Sequence, residues 1–307
     1  MNAKSLHSPI NMANQILSPE VTVLAGVDNG KYPHGNSVLV SGTVGTVLID
    51  PSLSVSDQGG AGVTVDRILV SHAHEDHMVG LGDYSSAKVH LHHDDLLGVH
   101  SLDGLMKVYG MPPEIEGGWR NEVVERFAYT ARPDATGFAD GDTFELGGVT
   151  VTCVHLAGHT RGHTGFMIEP GGIFFVGDID LTGFGPYYGD HWSSLVDFEQ
   201  ALVRVREFDA RQYVTFHQKG VIEGRDTFVE MLDVFAAVIT KRDVEMVRFL
   251  AEPRSIDEMV AHRFVYRRGV ELLFADHVER TTVGMHLDRL IERGEVRQFE
   301  PGLYRAV

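Results

Sequence analysis

From Ser71 to His77 the chain reads Ser-His-Ala-His-Glu-Asp-His, placing three imidazoles and the Asp76 carboxylate within six residues. Imidazole nitrogens and carboxylate oxygens are the donors that borderline divalent ions prefer. The strand-like run Arg67-Ile68-Leu69-Val70 precedes them. Side chains two apart on an extended segment point to the same side, so His72 and His74 can reach one ion together. A helical turn beyond them would swing Asp76 and His77 towards a neighbouring ion.

The same donor types recur downstream, each just after a β-like run. His159 lies in Gly158-His159-Thr160-Arg161-Gly162-His163, Asp178 in Gly177-Asp178-Ile179-Asp180, and His217 follows the run Gln212 to Phe216. Donors gathered at strand ends on one edge of a layered scaffold make a rigid site. The spacing of His159 and His163 resembles that of glyoxalase-II-like proteins, a resemblance that implies a supporting role for His163 rather than ligation; His155 is read as core or support. His90, His92 and His93 belong to a strand end and a helix start, and His34 to a loop or the pocket wall. Asp50, closing a buried strand, either braces the metal-binding loops or caps a turn. Asp180 is an extra carboxylate with no assigned role.

These residues need a scaffold, and β-rich runs supply one. Val21 to Ala25, Ser37 to Ser41 and Thr46 to Ile49 read as strands, the last two joined by a Gly42–Gly45 hairpin. Lys88 to Leu91 is another. Thr143 to Leu146 pairs with Val149 to His155 around Gly147-Gly148, and Gly165 to Glu169 with Ile173 to Val176 around Pro170-Gly171-Gly172. Residues 101–135 interleave Gly and Pro with large apolar side chains and are read as a lid-like insertion. The loop Leu181 to Ser194, with Phe184, Tyr187, Tyr188 and Trp192, is expected to wall a pocket. Helical spacing marks Phe198 to Phe208 and Arg225 to Leu250. Ser255 to Glu258 reads as a capping box, and Gly294 stops a helix over Val283 to Ile291. Strands around Pro301-Gly302 end the chain. The reading divides the chain into a catalytic domain, 1–240, and a small helical, winged-helix-like unit, 241–307, without ligands.

The 307 residues carry a formal charge of −17, the opposite of the basic footprint that nucleic acid or anionic membranes require. Cys153 is the single cysteine, so neither an internal disulfide nor a cysteine-based zinc site is available. Its apolar surroundings in sequence mark it as a buried small residue. Met1 to Glu20 lack the basic segment and apolar run of a secretory signal, and no stretch reaches membrane-spanning length. The expectation is a cytoplasmic protein acting on a small molecule, with no nucleic-acid or membrane partner.

The whole pattern closely resembles the metallo-β-lactamase superfamily. His72, His74, Asp76 and His77 match its H-x-H-x-D-H motif, His159 falls in Gly-His-Thr, Asp178 in a strand-ending Gly-Asp, and His217 at the last strand end. The resemblance covers roughly Val21 to Gly224. It implies an α/β fold of four αββα layers with two metal sites at one edge. By that pattern His72, His74 and His159 hold one ion, Asp76, His77 and His217 the second, and Asp178 bridges. Two divalent ions per chain follow, zinc first, with iron or manganese as the carboxylate share rises.

The superfamily hosts many reactions, so fold alone does not choose. The acidic chain shows no obvious nucleic-acid arm, which weakens the nuclease branch. His74 stands where flavodiiron proteins carry Glu, and the active-site Lys or Cys markers of secreted β-lactamases are not apparent. What remains is hydrolysis of a small ester-like bond, a thioester as in glyoxalase II or a lactone as in quorum-quenching lactonases. Asp76 is then a candidate proton carrier, and Tyr187 or Tyr188 a candidate donor to the developing oxyanion. The alternatives are a mononuclear non-haem iron dioxygenase of the persulfide type, a phosphodiesterase, and a non-catalytic ligand-binding protein. The C-terminal unit is read as packing on the sandwich or at a homodimer interface.

Overall fold

The computed structural model describes residues 13–307; the part of the N-terminal reading that falls on residues 1–12 lies outside them. A first sheet runs in the order β1 (Gln15–Ile16), β2 (Val21–Leu24), β3 (Ser37–Ser41), β4 (Thr46–Ile49), β5 (Arg67–Leu69), β6 (Lys88–His92) and β7 (Thr136–Phe138). Pairing is antiparallel as far as β4 and parallel from β4 to β7. Parallel strands are covered on both faces and so read as unbroken apolar runs. Val47, Leu48, Ile49, Ile68 and Leu69 are accordingly all fully buried.

A second sheet joins β8 (Thr143–Glu145), β9 (Thr150–His155), β10 (Thr164–Glu169), β11 (Ile173–Phe175), β12 (Gln212–Val214) and β13 (Val221–Glu223) as neighbours in chain order. Only β11 and β12 pair parallel in it. On β11, Ile173 and Phe175 enter the core between the sheets while Phe174 faces the other way, as the two-residue strand period requires.

Helices cover both outer faces. The short α1 (Leu53–Asp57) connects β4 to β5, and α2 (Leu96–His100), α3 (Leu102–Tyr109) and α4 (Pro113–Glu125) connect β6 to β7. Val99, Leu105, Val108 and Val123 pack this group onto the first sheet's core. Phe174 meets α5 (Leu195–Val205) and α6 (Arg225–Phe249) through Phe198, Phe228 and Phe235. The layers are therefore helix, sheet, sheet, helix, the αββα sandwich expected.

Strand ends carry the donors to one edge. β4 and β5 lie parallel with Ile49 opposite Leu69, so Asp50 and the Ser71–His77 loop emerge side by side. β11 and β12 lie parallel with Phe175 opposite Val214, which delivers Asp178 and His217 together. The loop between His155 and Thr164, paired across β9 and β10, adds His159.

Residues 101–135, read as a lid-like insertion, contain α3 and α4. Ser101 caps α3, its Oγ accepting from Gly104 N at 3.0 Å. Gly104 lets α3 press against α2, since a Cβ there would stand 1.8 Å from Leu97 O. Pro113 opens α4, where its missing N–H costs nothing. Residues that resemble breakers in one dimension serve here as a cap, a close contact and a helix start.

The expected domain boundary at 240 falls inside α6, which runs through it unbroken. Phe228, Leu232, Phe235 and Ile239 pack the first part of α6 under the second sheet, whereas Met246 and Leu250 join α7 (Ile256–His262) and α8 (Ala275–Glu292) in a separate cluster. Strands β14 (Arg254–Ser255), β15 (Val296–Glu300) and β16 (Leu303–Ala306) form a small third sheet. Ser255 and Glu258 make the reciprocal capping box. Among the described residues, no helix is long and apolar enough to cross a membrane.

Fully buried Glu279 on α8 holds the segment after α7, accepting from the backbone N–H groups of Phe264 and Val265 at 3.0 Å and Tyr266 at 2.8 Å. Glu279→Ala strands those donors and should lower the unfolding free energy by about 3 kcal/mol, read from urea denaturation.

Candidate metal centre

Three buried imidazole nitrogens converge: His72 Nε2 stands 3.0 Å from His74 Nδ1 and 3.1 Å from His159 Nε2. Beside them, His217 Nε2 lies 3.1 Å from Asp76 Oδ2, and His77 Nε2 lies 3.8 Å from Asp76 Oδ1. Asp178 stands between the two groups. Its Oδ1 is 3.1 Å from His77 Nε2, and its Oδ2 is 3.3 Å from His159 Nε2 and 3.9 Å from His217 Nε2. The structure thus brings together all seven side chains that the sequence suggests as ligands.

The donor atoms fit divalent cations. Several of them, His77 Nε2, Asp76 Oδ2 and Asp178 Oδ1, are buried without a hydrogen bond, a costly state unless a cation stands among them. Burial, then the imidazoles of His77, His159 and His74, hold His72 well below the usual imidazole range. A metal-binding imidazole must be neutral in just this way. Imidazole nitrogen mixed with carboxylate oxygen suits zinc, iron or manganese.

Four of these imidazoles are hydrogen-bonded through their other nitrogen, and His74 points its own at a carboxylate. His77 Nδ1 is 2.8 Å from Asp50 Oδ2, and Asp50 also accepts from Ser71 N and Ser71 Oγ, each at 2.6 Å. His74 Nε2 lies 3.1 Å from Asp190 Oδ2. His159 Nδ1 donates to Tyr187 O at 2.9 Å, and His217 Nδ1 to Gly30 O at 2.8 Å. His72 Nδ1 meets Ser71 Oγ at 3.0 Å. Such contacts set the tautomer and aim the ligand nitrogen inward. Asp95, fully buried, ties two ligand loops together by accepting from Ala73 N at 3.0 Å, Gly162 N at 2.8 Å and Thr160 Oγ1 at 2.6 Å.

His163 supports rather than joins the cluster. Its Nδ1 donates to Leu156 O at 3.0 Å, and its Nε2 accepts from Asp178 N at 3.1 Å, fixing the backbone that carries Asp178. Burial, then His159, pushes its pKa down to about 3, so it stays neutral. Gly177 has φ 55°, and a Cβ there would come within 2.6 Å of His163 Nε2.

Tyr187 and Asp180 line the cavity above the cluster, with the Tyr187 hydroxyl 3.3 Å from Asp190 Oδ1. Burial, then Asp178, raises Asp180 to about 6, while Thr182 donates to it from N and Oγ1. Tyr188 must be corrected. It is buried away from the cavity, its hydroxyl 2.9 Å from His286 Nε2 and accepting from Arg242 Nη1 at 2.8 Å. That geometry ties the aromatic loop to α6 and α8 and leaves no oxyanion role for Tyr188.

Sequence reasoning missed Glu75, Asp95 and Asp190. Glu75 lines the cavity, accepts from Tyr32 Oη at 2.9 Å and from Tyr109 Oη, and is raised to about 7 by burial, then Asp76. Its place inside the histidine motif was the available signal. Asp190 sits in an aromatic loop with no motif around it. Asp50→Ala should weaken metal binding at the His77 half roughly 10- to 100-fold, and Asp190→Ala at the His74 half. Cobalt titration followed by absorbance separates the two.

The comparisons with known proteins agree with this geometry. A family model described as the metallo-beta-lactamase superfamily matches residues 32–217. The lactamase-like protein ptaB of Pestalotiopsis fici is 28% identical over 187 residues, covering 58% of this chain and 49% of that protein. An atrochrysone carboxyl ACP thioesterase of Claviceps purpurea is 25% identical over 179 residues, covering 55% of this chain and 47% of its own length. The chain therefore spans about half the length of the curated relatives it matches. A solved metallo-beta-lactamase family protein of Thermus thermophilus superposes with a TM-score of 0.70 at 22% identity, covering 95% of this chain and 100% of that one. That likeness concerns the fold alone. Because the matched span takes in every donor from His72 to His217, the ligand cluster and the family match describe the same part of the molecule, and the chain belongs to the metallo-beta-lactamase superfamily.

Proposed function

We propose that the chain is a divalent-metal-dependent hydrolase of a small thioester or related ester-like bond, with zinc as the resident ion at both halves of the cluster. The carrying observation is that the cluster opens into a cavity of about 300 Å³, with His74, Asp76, His159, Asp178 and His217 on its surface. A substrate seated there meets both halves at once. The thioesterase among the relatives supports the choice of bond.

His72, His74 and His159 would hold one ion, Asp76, His77 and His217 the other, and Asp178 would touch both. Bound ions of this kind supply Lewis acidity towards the carbonyl and a hydroxide at neutral pH. Hydrolysis adds one water across the acyl–sulfur bond, giving a carboxylic acid and a thiol. The proton lost by water must reach the departing sulfur. Asp76, which lines the cavity beside the cluster, would carry it. Tyr187 is held well above the usual phenol range by burial, then Asp190, so it keeps its proton; that O–H donates to Asp190 Oδ1 at 3.3 Å and would have to turn from it to meet the developing oxyanion.

Elemental analysis should find about two zinc ions per chain. A panel of thioesters, lactones and phosphodiesters should show turnover of the first class, reduced below about 1% by His72→Ala. Asp76→Asn should lower kcat about 100-fold. About one iron per chain with oxygen consumption would instead sink the hydrolase reading and favour the persulfide dioxygenase.

A further inference from the structure

Beyond the ligands, the cavity wall is assembled from segments far apart in sequence. Tyr109 and Trp119 come from α3 and α4, Phe184 from the loop after β11, and Tyr266 and Phe274 from the segment between α7 and α8. Their rings make one continuous belt that starts at a metal ligand. His74 stacks on Tyr109 with centroids 5.3 Å apart at 14°. Tyr109 meets Trp119 at 5.5 Å and 89°, and Trp119 meets Phe274 at 5.1 Å and 69°, both edge to face. Phe274 then reaches Tyr266 at 6.4 Å, and Tyr266 reaches Phe184 at 5.7 Å.

Charge in the same cavity is one-sided. Among the described residues no Lys or Arg lines it, and its carboxylates away from the ligand cluster already have partners. Glu75 is held by Tyr32 and Tyr109, Asp180 by Thr182, and Asp190 lies against His74 and Tyr187. Arg242 stands behind the wall, spent on Pro186 O, Phe184 O and the Tyr188 hydroxyl. Along the wall away from the ligand cluster, an anionic substituent would therefore be desolvated beside carboxylates with no Lys or Arg to meet it, a costly state. A flat, uncharged ring would instead find edges and faces at the spacings aromatic pairs prefer. The cavity of about 300 Å³ lies at the small end for ligand pockets, which suits one or two rings.

We propose that this belt is the subsite for a flat, uncharged aromatic acyl group, and that the C-terminal unit sets the preference through Tyr266 and Phe274. The acyl assignment rests on the hydrolase reading; the preference for a neutral ring does not. The test uses the zinc-loaded full chain and short-thiol thioesters carrying acetyl, 3-phenylpropanoyl or glutaryl groups, whose carbonyls have similar intrinsic reactivity. A second arm measures equilibrium binding of the matching amides by quenching of Trp119 fluorescence in a Trp192→Phe background. The 3-phenylpropanoyl thioester should exceed glutaryl about 100-fold in kcat/KM, and its amide should bind correspondingly tighter. Phe274→Ala should lower kcat/KM for 3-phenylpropanoyl about 10-fold and leave acetyl within about two-fold. Leu272→Arg, at a half-exposed position on the rim, should raise glutaryl turnover about 10-fold. Glutaryl matching 3-phenylpropanoyl in turnover or binding, or Phe274→Ala affecting acetyl equally, would overturn the proposal. Selective amide binding without turnover of any thioester would uphold the belt and overturn only the hydrolase reading.

Discussion

Five imidazoles and two carboxylates stand within a few ångströms of one another, nearly all out of water, at the edge of the two sheets. Buried donors this close are costly unless the atoms that point away from the cluster have protein partners. That requirement organises the surroundings. Asp50 holds His77 and Ser71, Asp95 joins the Ala73 loop to the Thr160 loop, and carbonyls of Gly30 and Tyr187 hold His217 and His159. Asp50 does this from a backbone with φ 48°, a conformation unusual for a residue with a side chain and typical of functional sites.

The sandwich makes such bracing possible because parallel neighbours end on the same side. Asp50 and His72 follow β4 and β5, and Asp178 and His217 follow β11 and β12, so each pair is adjacent without any long excursion. Fully buried strands beneath them cannot shift register without exposing apolar side chains. Rigidity of the ligand geometry is thus inherited from the core rather than from the loops.

The helical tail packs on the sandwich, His286 meeting Tyr188 and His277 meeting Tyr109 O. It supplies no ligand, yet Tyr266, Leu272 and Phe274 reach the cavity, and Arg242 and His286 anchor the aromatic loop through Tyr188. That loop carries Tyr187 and Asp190, which hold two of the imidazoles. The tail therefore touches both the wall of the cavity and, at one remove, its floor.

Local chemistry in the sequence determined the donors and most of the strands. Histidine and aspartate at strand ends are rare enough to stand out, and β-rich runs punctuated by glycine pairs are short-range signals. Ser255 and Glu258, one helical turn apart, likewise announced their helix start. Only the tertiary structure decided which polar neighbours brace the donors, which of Tyr187 and Tyr188 faces the cavity, and what closes it. Asp95 and Asp190 act on partners 22 and more residues away, and no local pattern records so distant a partner. Adjacent side chains such as Tyr187 and Tyr188 diverge according to what packs behind them, here α6 and α8. Gly104 and Pro113 looked like breaks because the reason for them, close helix contact and a helix start, appears only once the helices are packed.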